Sequence, residues 1–80
     1  MDKETVKKNI KREVFKAIPH ILKCPVKKMW IDYDDKADVL YISFKRPQKA
    51  TDSEMFENGI LFRYRGKEIV GITILEASKR

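Results

Sequence analysis

The chain has one cysteine, Cys24, and one histidine, His20, in eighty residues. A single thiol excludes an internal disulfide. Ser43, Ser53 and Ser78 lack a triad partner, because that one histidine lies in the N-terminal segment. Glycine is scarce. Gly59, Gly66 and Gly71 are spread over strands and turns, which excludes a phosphate-binding loop. No apolar run approaches the roughly 18 residues that span a membrane. The basic N-terminus lacks the apolar stretch of a signal peptide. A cytoplasmic protein without a membrane partner is the expectation. Amides are few, namely Gln48, Asn9 and Asn58, while charged residues reach 38%. That charge-rich, amide-poor balance resembles thermophile proteins, where ion-pair networks matter at high temperature.

Hydrophobic residues make up 42% of the chain, enough for a globular domain. Eighty residues make one domain. A chain this short buries only roughly 60–65% of its unfolded surface and is marginal alone.

The net charge of +6 is unevenly placed. Residues 1–29 hold nine Lys or Arg against Asp2, Glu4 and Glu13, which gives 9 − 3 = +6. Residues 30–80 hold nine of each sign and balance to zero. The composition therefore divides into a basic extension, 1–27, and a neutral body, 28–80.

Residues 3–18 read as an amphipathic helix. Val6, Ile10, Val14, Ala17, Ile18 and Ile21 recur at steps of three and four. Phe15 and Leu22 widen the stripe, and Lys8, Arg12 and Lys16 lie on the other side. Asp2 and Glu4 fall in the first turn, where the helix dipole favours negative charge. Pro19 removes a donor and crowds the Phe15 carbonyl, so a break or kink is expected at 18–19. Pro25 ends the helical region.

Four strands are expected at about 28–33, 38–45, 57–65 and 68–75. The acidic link Asp34-Asp35-Lys36-Ala37 and the tripeptide Arg65-Gly66-Lys67 read as turns. Residues 46–55 read as a loop or a weak edge strand. Two hairpins with short links favour a meander-like antiparallel sheet. The expected fold is α+β, with the N-terminal helix packed on a four-stranded antiparallel sheet.

Alternation separates two faces. One carries Ile31, Tyr33, Leu40, Ile42, Phe44, Ile60, Phe62, Tyr64, Val70, Ile72 and Ile74, and the helix stripe can cover it. The other carries Trp30, Val39, Tyr41, Leu61, Ile69 and Leu75, where a solvated face would be polar. One helix cannot cover both faces. A second copy of the chain, seated on those six residues, is the simplest cover.

Two blocks resemble a known family. Tyr33-Asp34-x-x-Ala37-Asp38-x-Leu40-Tyr41-Ile42 and Val70-Gly71-Ile72-x-Ile74-Leu75-x-Ala77-Ser78 are similar to the small prokaryotic proteins of domain of unknown function 2283. The resemblance runs from Trp30 to Ser78. It implies no agreed activity, although some relatives look like antitoxin partners of small toxins, which would make a protein the partner.

The remaining features have bland readings that outweigh the chemical ones. Asp32, Asp34, Asp35 and Asp38 cluster as hard cations require. The run lacks the glycine and terminal Glu of a calcium loop, and reads as a turn held by Asx bonds, with Asp38 orienting the next strand. His20 and Cys24 are four apart, half of a zinc site at most, with no further Cys or His to complete it. Gly71 is expected to permit close packing or a bulge beneath a large side chain such as Trp30 or Tyr41. No catalytic residue, metal or cofactor is expected. The basic side with Lys8, Arg12 and Lys16 could bind nucleic acid weakly and without sequence preference. The chain thus reads as a non-enzymatic, self-associating module. The alternatives are a basic nucleic-acid-binding accessory and an antitoxin-like partner.

Overall fold

A computed structural model describes residues 3–80. The chain forms one helix, α1 (Lys3–Lys23), and five strands: β1 (Trp30–Asp34), β2 (Val39–Ser43), β3 (Asp52–Glu57), β4 (Ile60–Arg65) and β5 (Glu68–Leu75). A 3-10 turn, Ala77–Lys79, follows β5. Asp2 lies outside the described residues.

The architecture is α+β and the sheet is antiparallel, but it has five strands and not four. The strand order is β1-β2-β5-β4-β3. The third strand expected at 57–65 begins only at Ile60, as β4, and a turn at Asn58-Gly59, where Gly59 takes φ 93°, joins it to β3. Of the two turn residues only Gly59 takes a positive φ, which glycine adopts without a Cβ clash. The expected edge segment in 46–55 becomes β3.

Because β5 lies between the hairpins, the sheet is no simple meander. Residues 44–51 must carry the chain from β2 past β5 and β4 to the far edge. Three strand spacings of about 4.8 Å make a crossing of roughly 14 Å, well within eight residues.

α1 departs further from expectation. It runs unbroken through Pro19. Proline removes one donor, and the exposed Phe15 carbonyl can bond water instead, so the ladder resumes beyond it. The helix is also not packed on the sheet. None of its described residues is buried, with Ile10 58% and Phe15 69% exposed. The sheet face meant for it is covered only at one end, where Cys24, Pro25 and Val26 of the linker line a groove with Phe44, Ile69 and Ile72.

The register corrects one position. Tyr64 pairs with Ile69 and Arg63 with Gly71, so Val70 is an extra residue in β5. This β-bulge reverses the alternation. Ile69 therefore stands with Ile72, opposite to the face that carries Trp30, Tyr41, Leu61 and Leu75. Val70 and Val39 are the buried hydrophobic side chains among the described residues, at 0% and 8% exposure.

Candidate functional site

Three features stand out, one at each end of the sheet and one across its face. At the first end, Asp34 closes the β1–β2 turn. Its Oδ1 accepts from the backbone N–H of Lys36 and Ala37, both at 3.1 Å. This is the Asx bonding expected of the acidic run. Asp38 then takes φ 57°, a left-handed conformation that Asp tolerates better than most residues. Its carboxylate accepts from the Tyr33 hydroxyl at 2.6 Å, the Ser78 backbone N–H at 3.0 Å and the Ser78 hydroxyl at 2.7 Å. The Asp38 carbonyl accepts from Ala77 N–H at 3.0 Å. The C-terminal turn is thus tied to the first hairpin.

The bond from Tyr33 holds the Asp38 carboxyl below its ordinary range, and the two bonds from Ser78 act in the same direction. The same bond raises the Tyr33 hydroxyl, because losing its proton would set two negative groups together. The cluster is stable in one protonation state and is exposed. Asp32 pairs with Tyr41 across β1 and β2 and takes no part in it. Among the described residues no three His, Cys, Asp or Glu converge as metal ligands would.

At the other end, Ser43, Gly71, Arg63 and Ser53 form one row across β2, β5, β4 and β3. The crossing loop lays Gln48 on this row, over Gly71. Gln48 Nε2 donates to Ser43 Oγ at 2.7 Å, and Arg63 Nε donates to Gln48 Oε1 at 2.9 Å. A Cβ on Gly71 would occupy the carboxamide's place. The glycine does permit close packing, but beneath Gln48 rather than beneath Trp30 or Tyr41.

The third feature is the sheet face itself. Rows Tyr33–Leu40–Ile74–Ile60 and Ile31–Ile42–Ile72–Phe62 run across four strands. Phe56 rests its ring edge against Phe62, with centroids 5.4 Å apart. No side chain of these rows is fully buried, and Ile31 is 60% exposed. Glu54 and Glu57 flank the face along β3, paired with Phe62 and Ile60.

The other expected residues are dispersed. Trp30 is half-buried beside Ser43 on β1, while Tyr41 and Leu75 are exposed and Leu61 half-buried. Val39 is already buried within its own chain. Lys8, Arg12 and Lys16 are exposed on α1. Arg12 donates to Asn9 Oδ1 at 3.0 Å and pairs with Glu13 at 3.5 Å, and Lys16 lies 3.8 Å from Glu13. His20 is exposed on α1, while Cys24 lines the linker groove. Among the described residues no helix is long and apolar enough to cross a membrane.

A small antiparallel sheet with tied ends and an open apolar face, preceded by a helix, defines an α+β module. A family model described as "Protein of unknown function (DUF2283)" matches residues 30–78. The chain belongs to that family. The match begins at β1 and ends at Ser78, so the Asp38–Ser78 tie lies within it and α1 outside it. No curated protein and no solved structure matches the chain.

Proposed function

We propose that the protein is a non-enzymatic module whose working form is a homo-oligomer. The exposed surface carries this reading. One chain exposes 6873 Å², whereas a folded monomer of this mass should expose about 5,050 Å². The excess is about 1,800 Å². A radius of gyration of 14.6 Å compares with about 12 Å for a compact domain of this length. Two buried hydrophobic side chains make a poor core for a lone domain. A non-enzymatic role is supported by the way Tyr33, Asp38 and Ser78 satisfy one another, with His20 on a separate element. Light scattering at tens of micromolar is the test. A mass of 9.5 kDa that does not change with concentration would overturn the reading.

A second reading, nucleic-acid binding, is favoured by one observation. The basic excess sits on an exposed helix. Glu13 already draws on Arg12 and Lys16, which weakens the field they present. Trp30, Tyr41, Leu61 and Leu75, on the face opposite the open one, remain candidates for a further contact between copies.

A further inference from the structure

We propose that α1 of one copy lies across the open sheet face of a second copy, and that the exchange is reciprocal. This rests on the self-association reading and names its surfaces. Neither surface is covered by the described residues of its own chain. The helix offers Val6, Ile10, Val14, Ile18 and Ile21 on one stripe, each of them exposed. The sheet offers the rows through Ile31, Ile42, Ile72 and Ile74.

The dimensions agree. From Val6 to Ile21 the stripe spans about 22 Å at 1.5 Å per residue. Five strands at about 4.8 Å place the outer two roughly 19 Å apart. The areas agree as well. An excess of about 1,800 Å² per chain exceeds the roughly 800 Å² per partner of an ordinary stable interface. It falls in the range of obligate homodimers.

Charge supplies the complement. α1 carries Lys3, Lys7, Lys8, Lys11, Arg12, Lys16 and Lys23 against Glu4 and Glu13, so 7 − 2 = +5. β3 carries Asp52, Glu54 and Glu57 with no basic residue, or −3. Asp52, Glu54 and Glu57 pair with Tyr64, Phe62 and Ile60, so all three stand on the open face. A basic helix therefore meets a face bordered by acid. The linker lies at the rim of this face, where Cys24 and Val26 line one groove with Phe44, Ile69 and Ile72. A two-fold dimer in which each helix crosses to the other sheet closes both surfaces at once.

Two full-length variants test the proposal, each altered only where its own chain leaves the side chain exposed. One is Ile10→Glu/Val14→Glu, which spoils the helix. The other is Ile31→Lys/Phe56→Lys, which spoils the face and sets like charge against α1. Light scattering reads mass, and circular dichroism confirms that the strands persist. The wild-type chain is expected at twice 9.5 kDa, each variant alone at 9.5 kDa, and their equimolar mixture at the doubled mass again. Only a helix-on-face contact is lost in each variant and regained on mixing. Helix-to-helix pairing would leave the face variant dimeric, and face-to-face pairing would leave the helix variant dimeric. Either result overturns the exchange while self-association stands. A wild-type monomer overturns both.

Discussion

Asp38 holds Ser78, forty residues further along the chain, by two hydrogen bonds to one carboxylate, from the backbone N–H and from the hydroxyl. Tyr33 completes the tie from β1. Asn at position 38 tolerates the left-handed backbone almost as well as Asp. Asp38→Asn therefore removes the charge without forcing a new turn. A lower Tm and faster amide exchange at residues 76–80 are expected, while exchange in β4 stays unchanged. Unchanged exchange at the C-terminal turn would show that the tie is incidental.

The pH dependence follows from the same cluster. The Asp38 carboxyl is held below its ordinary value in the folded chain, so its contribution is present above the unfolded value. It is lost as pH falls through the folded one. Stability should thus drop on acidification below about pH 4. Tyr33 has the opposite sign. Its hydroxyl is raised, so its contribution is present below about pH 10 and is lost at higher pH. Tyr33→Phe should remove the alkaline loss and reduce the acid one. Denaturant midpoints measured across pH check both limbs.

Gly71 and Gln48 should be coupled. Gly71→Ala puts a methyl group where the Gln48 carboxamide lies, and breaks its bonds to Ser43 and Arg63. Overpacking of this kind costs about 1–3 kcal/mol. Gln48→Ala alone should cost about 0.5–1.5 kcal/mol for the neutral bond to Ser43 and about 1.5–3 kcal/mol for the charge-assisted bond from Arg63. The double variant should cost less than the sum, because the collision disappears with the side chain. Strict additivity in urea titrations would mean that the loop does not rest on this row.

Much of the sheet was legible in the chain, because period-two alternation and turn residues are local signals. β2, β5 and the Gly66 turn fall where they were expected. Asn58-Gly59 carries the hairpin signal, but Ile60, Leu61, Phe62 and Tyr64 follow it so closely that alternation alone does not separate turn from strand. Val70 could not be read as a bulge, since a bulge is set by pairing with β4 and not by residue type. That one residue moved Ile69 to the other face. The Asp38–Ser78 and Gln48–Gly71 contacts join segments distant in sequence, so no spacing revealed them. The helix stripe was visible from periodicity, but periodicity shows that a face is apolar and not which surface covers it.

Val70 is the side chain most completely removed from water. Val70→Ala deletes two methyl-sized groups at about 0.8 kcal/mol each, roughly 1.6 kcal/mol before any cavity cost. In so small a protein this is a large share of the total stability. The same change at Ile21, which is exposed on α1, should leave the unfolding of the isolated monomer within about 0.5 kcal/mol. Chemical denaturation of the Ile10→Glu/Val14→Glu background makes the comparison without interference from association. Equal losses at the two sites would show that the bulge is not the centre of the core.

Nucleic acid, if bound, should be bound through charge alone. α1 can offer about four or five phosphate contacts, which gives a salt slope near −4 at about −0.9 per contact. Affinity should then fall on the order of a hundredfold between roughly 50 and 200 mM salt, with no sequence preference. Replacing Lys8, Arg12 and Lys16 together with Gln should abolish binding and leave the sheet intact, because these side chains are exposed on the side of α1 away from its apolar stripe. The replacement should leave association between copies unchanged, because Lys8, Arg12 and Lys16 lie on the side of α1 away from its apolar stripe. Fluorescence anisotropy against duplexes of two unrelated sequences reads the first effect, and light scattering reads the second. Salt-resistant, sequence-selective binding would require a base-reading surface that α1 does not possess. No binding at roughly 50 mM salt would leave the helix to assembly alone, since at that ionic strength the screening length is longer than in cells and charge attraction stronger.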